Sequence, residues 1–239
     1  MEYNYTRHPA PEMCCPVCWH RHGLAISKNC TKHTLKEKNE IRTKEQTMII
    51  GIIDLETTGF MPTGKIVEIG IASLNINTGE IKEVFGSVCR EPGLTAKDRN
   101  AWIFQHSNLT VEEIRNAPLL SDLKEEILQH IGHFNAVTAY NKAFDFDYLR
   151  DRGFAIFNEW PCPMLAAVDV CKIPFKERTH NNEPITDNSA QRYKWPSVEE
   201  CWNHLFPDRP YTELHRGLDD AMREAEIIRE LHRLGHMEN

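Results

Sequence analysis

Two neighbouring acids are the first residues whose types and spacing could do chemistry. Asp54 and Glu56 lie two apart in the segment GIIDLETTG (51–59), at the end of an apolar run. Because side chains alternate along a β-strand, both carboxylates project to one face. Burying unpaired charge is costly, so a cation is expected between them. Two solvated acids at an exposed strand end are the alternative.

A third inward acid is predicted in the segment YNKAFDFDYLR, which reads as a helix. Asp145 shares a helical face with Tyr148 and Leu149, whereas Asp147 shares one with Arg150. The face that carries apolar side chains packs inward. The phase therefore selects Asp145 as the buried acid and leaves Asp147 on the polar surface.

The fourth acid opens the last predicted helix, LHRGLDDAMREAEIIREL. Asp220 is in phase with Ile227 and Leu231, whereas Asp219 falls among charged residues. Asp220 is thus expected to point into the domain. His215 stands five residues earlier; a histidine before a helix is often structural, but this one neighbours a buried acid.

Four inward carboxylates without an inward Lys or Arg favour divalent cations, and all-oxygen ligands suit Mg²⁺ or Mn²⁺. Two such ions about 4 Å apart are the known arrangement for in-line attack on a phosphodiester. The sequence therefore predicts a site for two Mg²⁺ or Mn²⁺ ions.

The elements that must position these residues begin at Met48. The run MIIGIIDL reads as a strand buried on both faces, and two further strands follow, separated by the turn INTG. Predicted helices cover 110–116, 120–132, 143–153, 197–205 and 218–234, a fourth strand covers 136–140, and 176–196 reads as a long irregular loop. We predict an α/β fold: a mixed sheet with an antiparallel start and a parallel addition, flanked by helices.

Three segments together resemble the motifs of the DEDDh, or DnaQ-like, 3′→5′ exonucleases. They are DLETTG, YNKAFDFDYL and HRGLDDA, with Gly217 standing where the third motif has alanine. The resemblance spans roughly residues 48–235 and is specific because all three motifs occur in order. It implies an RNase H-like fold and release of nucleoside 5′-monophosphates from a 3′ end.

The resemblance also implies a role for each chemical residue. Asp54, Glu56 and Asp220 would hold the first metal ion, and Asp54 would bridge to the second, supported by Asp145. His215 would be the general base that deprotonates the attacking water, a task that suits a side chain with a pKa of about 6.5.

Substrate contacts are predicted more weakly. Thr57, Thr58 and Phe60 follow the first motif, where members of the resembling family often contact the terminal sugar and base. Asn141 matches an asparagine of the second motif, although Tyr140 precedes it where histidine is usual. Arg192 and Tyr193, in QRYKW, interleave charge with aromatic rings, which suits single strands; an ordinary packed loop is the alternative.

The N-terminal segment, 1–33, has the spacing of a structural zinc site. Cys15-x2-Cys18 is followed by Cys30-x2-His33, two ligand pairs that could close a tetrahedral site. So few aliphatic residues would hardly fold without a metal. One structural Zn²⁺ is expected here; the alternatives are a disordered tail with incidental cysteines or an upstream extension of a domain that begins near Met48.

The distribution of charge also separates the N-terminal part of the chain from the domain that follows it. The net charge is −7; residues 1–47 carry eight basic and five acidic residues, a net +3, which leaves −10 on the domain at 48–239. The stretch 34–47 reads as a polar linker. Acidity does not exclude a phosphate substrate when cations intervene.

Composition also narrows the location and the partners. The sequence shows no apolar run long enough to span a membrane and no apolar secretory segment, and eight cysteines without an export signal favour the cytoplasm. The expected partner is a nucleic-acid 3′ end, DNA rather than RNA. Since no polymerase domain is seen, a proofreading role would need a separate polymerase or another replication or repair protein.

Other functions remain open from the sequence alone. A 3′→5′ exoribonuclease or oligoribonuclease would carry the same motifs, and a non-catalytic nucleic-acid-binding module would retain the fold. An RNase H-like endonuclease or integrase is disfavoured, since such a site would lack His215 before the last helix.

Overall fold

The computed structural model describes residues 48–94, 98–175, 179–180, 183–184 and 193–238. The predicted N-terminal module and linker lie outside these residues, and so do the four predicted zinc ligands. Within the described part of the chain, no helix has both the length and the apolar character needed to cross a bilayer.

Three strands open the described domain, and helices with three further short strands follow. The strands are β1 (Ile49–Thr57), β2 (Ile66–Asn75), β3 (Ile81–Val88), β4 (Ala136–Thr138), β5 (Thr179–His180) and β6 (Glu183–Pro184). The helices are α1 (Ile103–His106), α2 (Val111–Asn116), α3 (Leu120–Gly132), α4 (Lys142–Asp151), α5 (Pro163–Cys171), α6 (Val198–Leu205) and α7 (Gly217–Arg233), with a 3₁₀ turn at Asp98–Asn100.

The main sheet is mixed, with strand order β3-β2-β1-β4. β1 pairs antiparallel with β2 and parallel with β4, and β2 pairs antiparallel with β3. The predicted antiparallel start and parallel addition are confirmed. β1 is therefore a central strand, which explains its nearly continuous apolar sequence.

Each face of β1 packs against different helices. Ile50 and Ile52 pack with α5, α6 and α7, whereas Ile53 and Leu55 pack with α3 and α4. Asp54 and Glu56 continue the face of β1 that carries Ile50 and Ile52. The apolar core on this face therefore ends where the two carboxylates begin. This strand end, with α4 on one side and α7 on the other, positions the candidate site.

The structure adds elements that the sequence reading missed. α1 is too short to show a helical period, and α5 begins at Pro163 with apolar residues around much of its circumference. The sequence predicts a long irregular loop over 176–196, but β5 and β6 pair within it as a short antiparallel ladder.

Candidate active site

The end of β1 supplies two acids. Glu56 is 8% exposed, and Asp54 is half-buried in the strand. Oδ2 of Asp54 is buried and has no hydrogen-bond partner among the described residues. A buried carboxylate oxygen left without a donor is costly, so this atom is suited to ligating a cation.

The first turn of α7 brings a third acid to the same place. Asp220 is 1% exposed; its Oδ2 accepts a hydrogen bond from the backbone N–H of Arg216 at 2.7 Å, and its Oδ1 accepts one from the Tyr211 hydroxyl at 2.7 Å. These two donors fix the carboxylate's orientation. The prediction that Asp220 is the inward one of the adjacent aspartates is confirmed.

Two glycines allow α7 to approach the sheet so closely. Gly70 on β2 lies opposite Asp54 in the strand register. A Cβ atom at Gly70 would lie 2.0 Å from the carbonyl carbon of Gly217, and one at Gly217 would lie 2.8 Å from the backbone N of Gly70. Gly217, which departs from the alanine of the resembling motif, is thus explained by direct backbone packing beside the acids.

α4 contributes the fourth predicted acid. Asp145 is 4% exposed, and its Oδ1 accepts a hydrogen bond from the backbone N–H of Leu55 at 3.2 Å. Asp147 is exposed and pairs with Arg150 on the surface. The choice of Asp145 as the buried acid is confirmed, and the hydrogen bond ties it directly to β1, between the two strand acids.

A fifth carboxylate, Glu224, was missed by the sequence reading. It lies one turn after Asp220 on α7, is 2% exposed, and accepts a hydrogen bond from the backbone N–H of Tyr140 at 3.3 Å. Its charge is the largest electrostatic influence on Asp54 after burial itself. The signal was present in the sequence, since Glu224 shares the inward helical phase of Asp220.

Burial and mutual repulsion make these acids hard to ionise. The pKa of Glu56 is raised to about 9 and that of Asp145 to about 8, chiefly by burial, with Asp220 adding repulsion at Glu56. The pKa values of Asp54 and Glu224 are raised for the same reasons. A nearby positive charge would relieve this cost.

Arg216, which stands beside the cluster, directs its guanidinium elsewhere. The Arg216 guanidinium binds Glu68 through Nε at 2.9 Å and through Nη2 at 3.0 Å, and its Nη1 donates to Asn108 at 2.6 Å. It therefore neutralises Glu68 rather than the strand acids. The donor set and the orphaned Asp54 oxygen fit divalent cations.

His215 stands at the edge of the acid cluster. Ligand atoms of Glu56, His215 and Asp220 all lie within 4.8 Å of one another. The backbone at His215 is left-handed, with φ of 53°, and Nδ1 lies 4.0 Å from Oε1 of Glu213. Burial lowers the pKa of the imidazole, although the Asp220 carboxylate opposes this. The structure brings His215 and the predicted acids together.

The residues predicted to contact substrate have more varied positions. The Thr57 hydroxyl donates to the Gly59 carbonyl at 2.9 Å, and the Thr58 hydroxyl accepts from the Lys65 N–H at 3.0 Å, so both order the loop after β1. Phe60, in that loop, is 81% exposed.

The remaining predicted contacts lie elsewhere. Asn141 is exposed just before α4, and no hydrogen bond of its side chain to the acids is found within the described ranges. Tyr193 is half-buried at the start of the last described stretch, and Arg192 lies outside the described residues. Cys15, Cys18, Cys30 and His33, the predicted zinc ligands, also lie outside them.

A buried carboxylate cluster at the end of a central strand is the arrangement of metal-dependent enzymes that hydrolyse phosphodiesters. The sequence matches the exonuclease family RNase_T over residues 52–228. This match covers most of the chain, so the chain belongs to that exonuclease family and is a hydrolase of nucleic-acid phosphodiester bonds. The family implies divalent metal ions, and the acid cluster fits them.

Solved structures support the same fold. A 3′-exonuclease described with a histone mRNA stem-loop has 15% sequence identity and a TM-score of 0.58, covering 80% of this chain and 85% of its own. The nuclease domain of 3′hExo, described as a DEDDh family member bound to rAMP, has 16% identity and a TM-score of 0.56, covering 81% and 97%.

A third similar structure is cell-death related nuclease 4, with 13% identity and a TM-score of 0.54, covering 79% of this chain and 65% of its own. No curated protein sequence gave a significant match. At these identities the likeness establishes the fold, which is the RNase H-like exonuclease fold predicted from the sequence.

Proposed function

We propose that this chain is a 3′→5′ exonuclease that removes nucleoside 5′-monophosphates by a two-metal mechanism. One observation carries the proposal: the carboxylates of Glu56 and Asp220 converge with the His215 imidazole within 4.8 Å, beside Oδ2 of Asp54, which has no hydrogen-bond partner in the described part of the chain. Acids of this kind hold cations, and a histidine among them can move a proton.

The acids divide between two cation positions in this proposal. Asp54, Glu56 and Asp220 would hold one ion, and Asp54 with Asp145 would hold the other. Glu224, whose charge acts on Asp54, would add negative charge that favours cation binding. When bound, the ions would supply charge stabilisation to the attacking and leaving oxygens.

His215 would act as the general base. Its lowered pKa keeps the imidazole neutral near pH 7, so a ring nitrogen can accept the proton of the attacking water. Nδ1 faces Glu213 at 4.0 Å, which leaves Nε2 to take that proton. The Glu213 carboxylate would then stabilise the resulting imidazolium.

The substrate of first choice is single-stranded DNA or a DNA 3′ end, as predicted from the sequence. RNA is the second candidate, because two similar structures are described with an mRNA stem-loop and with rAMP. The proposed contacts with the terminal nucleotides are Thr57, Thr58, Phe60, Asn141, Arg192 and Tyr193. A cytoplasmic location and a polymerase, replication or repair partner remain predictions from the sequence.

The zinc module at 1–33 is a separate proposal. Cys15, Cys18, Cys30 and His33 would bind one structural Zn²⁺. Metal analysis of the purified full chain should find about one zinc per chain, and Cys18→Ser should lose it. Zinc content that is unchanged in Cys18→Ser, or absent from the native chain, contradicts the assignment.

The chain offers matched controls for the catalytic test. 5′-labelled DNA and RNA oligonucleotides are incubated with Mg²⁺ or Mn²⁺ and resolved on a gel. The rate of cleavage should fall by more than about 100-fold in Asp145→Asn and in Asp220→Asn. This exceeds the loss that is usual when a residue that only supports a metal ligand is replaced. Asp147→Asn and Asp219→Asn, which change exposed or half-buried neighbours, should cut as the native protein does.

The pattern of products decides between the readings. Shortening from the 3′ end that stops in EDTA supports the exonuclease, and the faster strand identifies DNA or RNA. Binding without cleavage under every cation supports the non-catalytic module instead. Equal losses in both members of each aspartate pair would overturn the assignment of the inward acids.

A further inference from the structure

Arg216 makes contacts that the proposed mechanism does not use. Its Nε donates to Oε2 of Glu68 at 2.9 Å, its Nη2 donates to Oε1 of Glu68 at 3.0 Å, and its Nη1 donates to Oδ1 of Asn108 at 2.6 Å. A guanidinium presents these donors in one rigid plane, so three such bonds fix its place as well as its charge. Arg216 therefore ties the start of α7 to β2 and to the segment before α2.

Glu68, which accepts two of these three bonds, is a buried acid beside the candidate site. It is 6% exposed and lies opposite Glu56 in the register of β1 and β2. Like charges that face each other on paired strands repel, and Glu68 contributes to the raised pKa of Glu56. A buried acid that has lost its partner is costly. Arg216 supplies the positive charge that Glu68 needs at this position.

The backbone at Arg216 connects directly with two groups of the candidate site. His215 precedes it and has a φ of 53°, in the left-handed region that residues with a side chain seldom adopt. Such a conformation persists only where the surrounding structure holds it. The N–H of Arg216 donates to Oδ2 of Asp220 at 2.7 Å. An anchored side chain at this position therefore limits movement of the backbone that sets the direction of the His215 imidazole.

We propose that Arg216 is a positioning residue: its guanidinium, held by Glu68 and Asn108, keeps the His215 imidazole where it can accept the proton of the attacking water. The inference rests on the proposed function, since it takes His215 to be the general base. It gives the buried ion pair between β2 and α7 a part in the reaction, although neither of its residues touches the reacting atoms in this proposal.

Two observations favour this role for Arg216 over others. Each of its three guanidinium nitrogens already donates to a protein oxygen, which favours positioning over the binding of a substrate phosphate. Asp220 keeps the Tyr211 hydroxyl as a donor at 2.7 Å, and the N–H of residue 216 remains whichever side chain it carries. Removal of the guanidinium should therefore disturb His215 more than Asp220.

The test compares Arg216→Gln in two backgrounds, the native chain and His215→Ala, by kcat and KM for a 5′-labelled single strand at saturating Mg²⁺. In the native background kcat should fall roughly 10- to 100-fold, as for the loss of a group that orients another, and KM should stay within a few-fold. In the His215→Ala background the same substitution should lower kcat little further, because residues that act as a unit are not additive.

Two further variants separate positioning from a purely structural role. Arg229→Gln removes an arginine that pairs with Glu226 within α7, at 3.6 Å, and should leave kcat and KM nearly unchanged. Thermal unfolding identifies any loss of fold. Should Arg216→Gln unfold because Glu68 is left unpaired, Glu68→Gln/Arg216→Gln removes both charges, which costs less than removing one, and the same comparison of backgrounds decides.

A second readout follows His215 without any activity. Protein with ¹³C-labelled histidine is measured by NMR in EDTA, and the His215 signal is identified by its absence from His215→Ala. Glu68→Gln changes a residue on β2, outside the segment that carries His215, and should shift or broaden that signal because it loosens the guanidinium. Arg229→Gln should leave the signal in place. Where the residual rate of His215→Ala is too small to compare, this signal decides.

Several outcomes would overturn the positioning role. Equal losses of kcat in the two backgrounds assign Arg216 to general support of α7, and an unmoved His215 signal in Glu68→Gln contradicts the coupling. A native kcat with a KM that rises, and rises further with salt, assigns the guanidinium to a substrate phosphate instead.

The same measurements distinguish this inference from the proposed function. Loss of activity in His215→Ala beside native activity in folded Arg216→Gln refutes the positioning role alone. Native activity in His215→Ala refutes the general base, and absence of cleavage by the native protein refutes the exonuclease; in both cases the positioning role fails with the proposal on which it rests.

Discussion

Replacing Gly70 with alanine should inactivate the enzyme without changing any residue that does chemistry. The added Cβ would lie 2.0 Å from the carbonyl carbon of Gly217, 2.1 Å from its oxygen and 2.3 Å from the N of Leu218. All three are backbone atoms, so a change of side-chain rotamer cannot relieve the clash. Ordinary contacts are longer by more than about 1 Å, and the start of α7 must shift by about that distance.

The size of the effect follows from this displacement. Overpacking of a closed interface costs about 1–3 kcal/mol, which for a domain of this size lowers the unfolding temperature by roughly 2–12 °C. Asp220 and His215 lie on or just before the start of α7 and move with it. A misplacement of about 1 Å costs on the order of 100-fold in rate. Activity should therefore fall far more than stability.

The assay measures kcat at saturating strand and Mg²⁺, well below the unfolding temperature of each variant. Gly132→Ala is the matched control, since its added Cβ meets nothing within 4 Å and should leave both quantities nearly unchanged. Gly217→Ala should be intermediate, because its shortest contact is 2.8 Å. Native kcat in folded Gly70→Ala would refute the claim that this glycine contact positions the acids.

Three further results are expected. In EDTA the unfolding temperature should fall from about pH 6 to about pH 9. The pKa values of Glu56 and Asp145 are about 9 and 8 in the folded chain, against 4.5 and 3.8 ordinarily, so the folded state binds more protons than the unfolded state and loses stability as the pH rises. Mg²⁺ should reduce this slope, and an unfolding temperature that rises with pH in EDTA would contradict the prediction. Glu224→Gln should stabilise the metal-free protein, because it removes a buried acid, yet raise the Mg²⁺ needed for half-maximal activity; lower stability in EDTA would argue against that reading. Tyr211→Phe removes the 2.7 Å hydrogen bond to Asp220 and should raise the Mg²⁺ requirement by about 10- to 100-fold, with kcat restored at high Mg²⁺; an unchanged Mg²⁺ titration would show that Tyr211 does not orient the acid.

Local patterns were sufficient for much of the fold and for the predicted acids. The helical phase that separated Asp145 from Asp147 depends only on neighbouring residues, and burial of Asp145 bears it out. The same helical phase, followed one turn further along α7, also places Glu224 on the inward face. A glutamate in such a highly charged helix nevertheless looks like an ordinary surface residue.

Contacts between distant segments could not be read in this way. Trp102 meets His215, and Arg216 meets Glu68, across large separations in the chain. Neither pair leaves a spacing that a single sequence reveals. The reason for Gly217 likewise appears only when Gly70 is seen packed against it, because a close approach is a property of two elements together.

The order of the acids along the chain has a consequence during protein synthesis. Asp54 lies on the first strand of the described domain and Asp220 on its last helix, and translation proceeds from one to the other. A ribosome therefore releases the first strand acids long before the residues that complete the cluster. In the proposed mechanism, the growing chain would therefore lack a complete acid cluster, and with it the ability to cut nucleic acid, until α7 has emerged and docked.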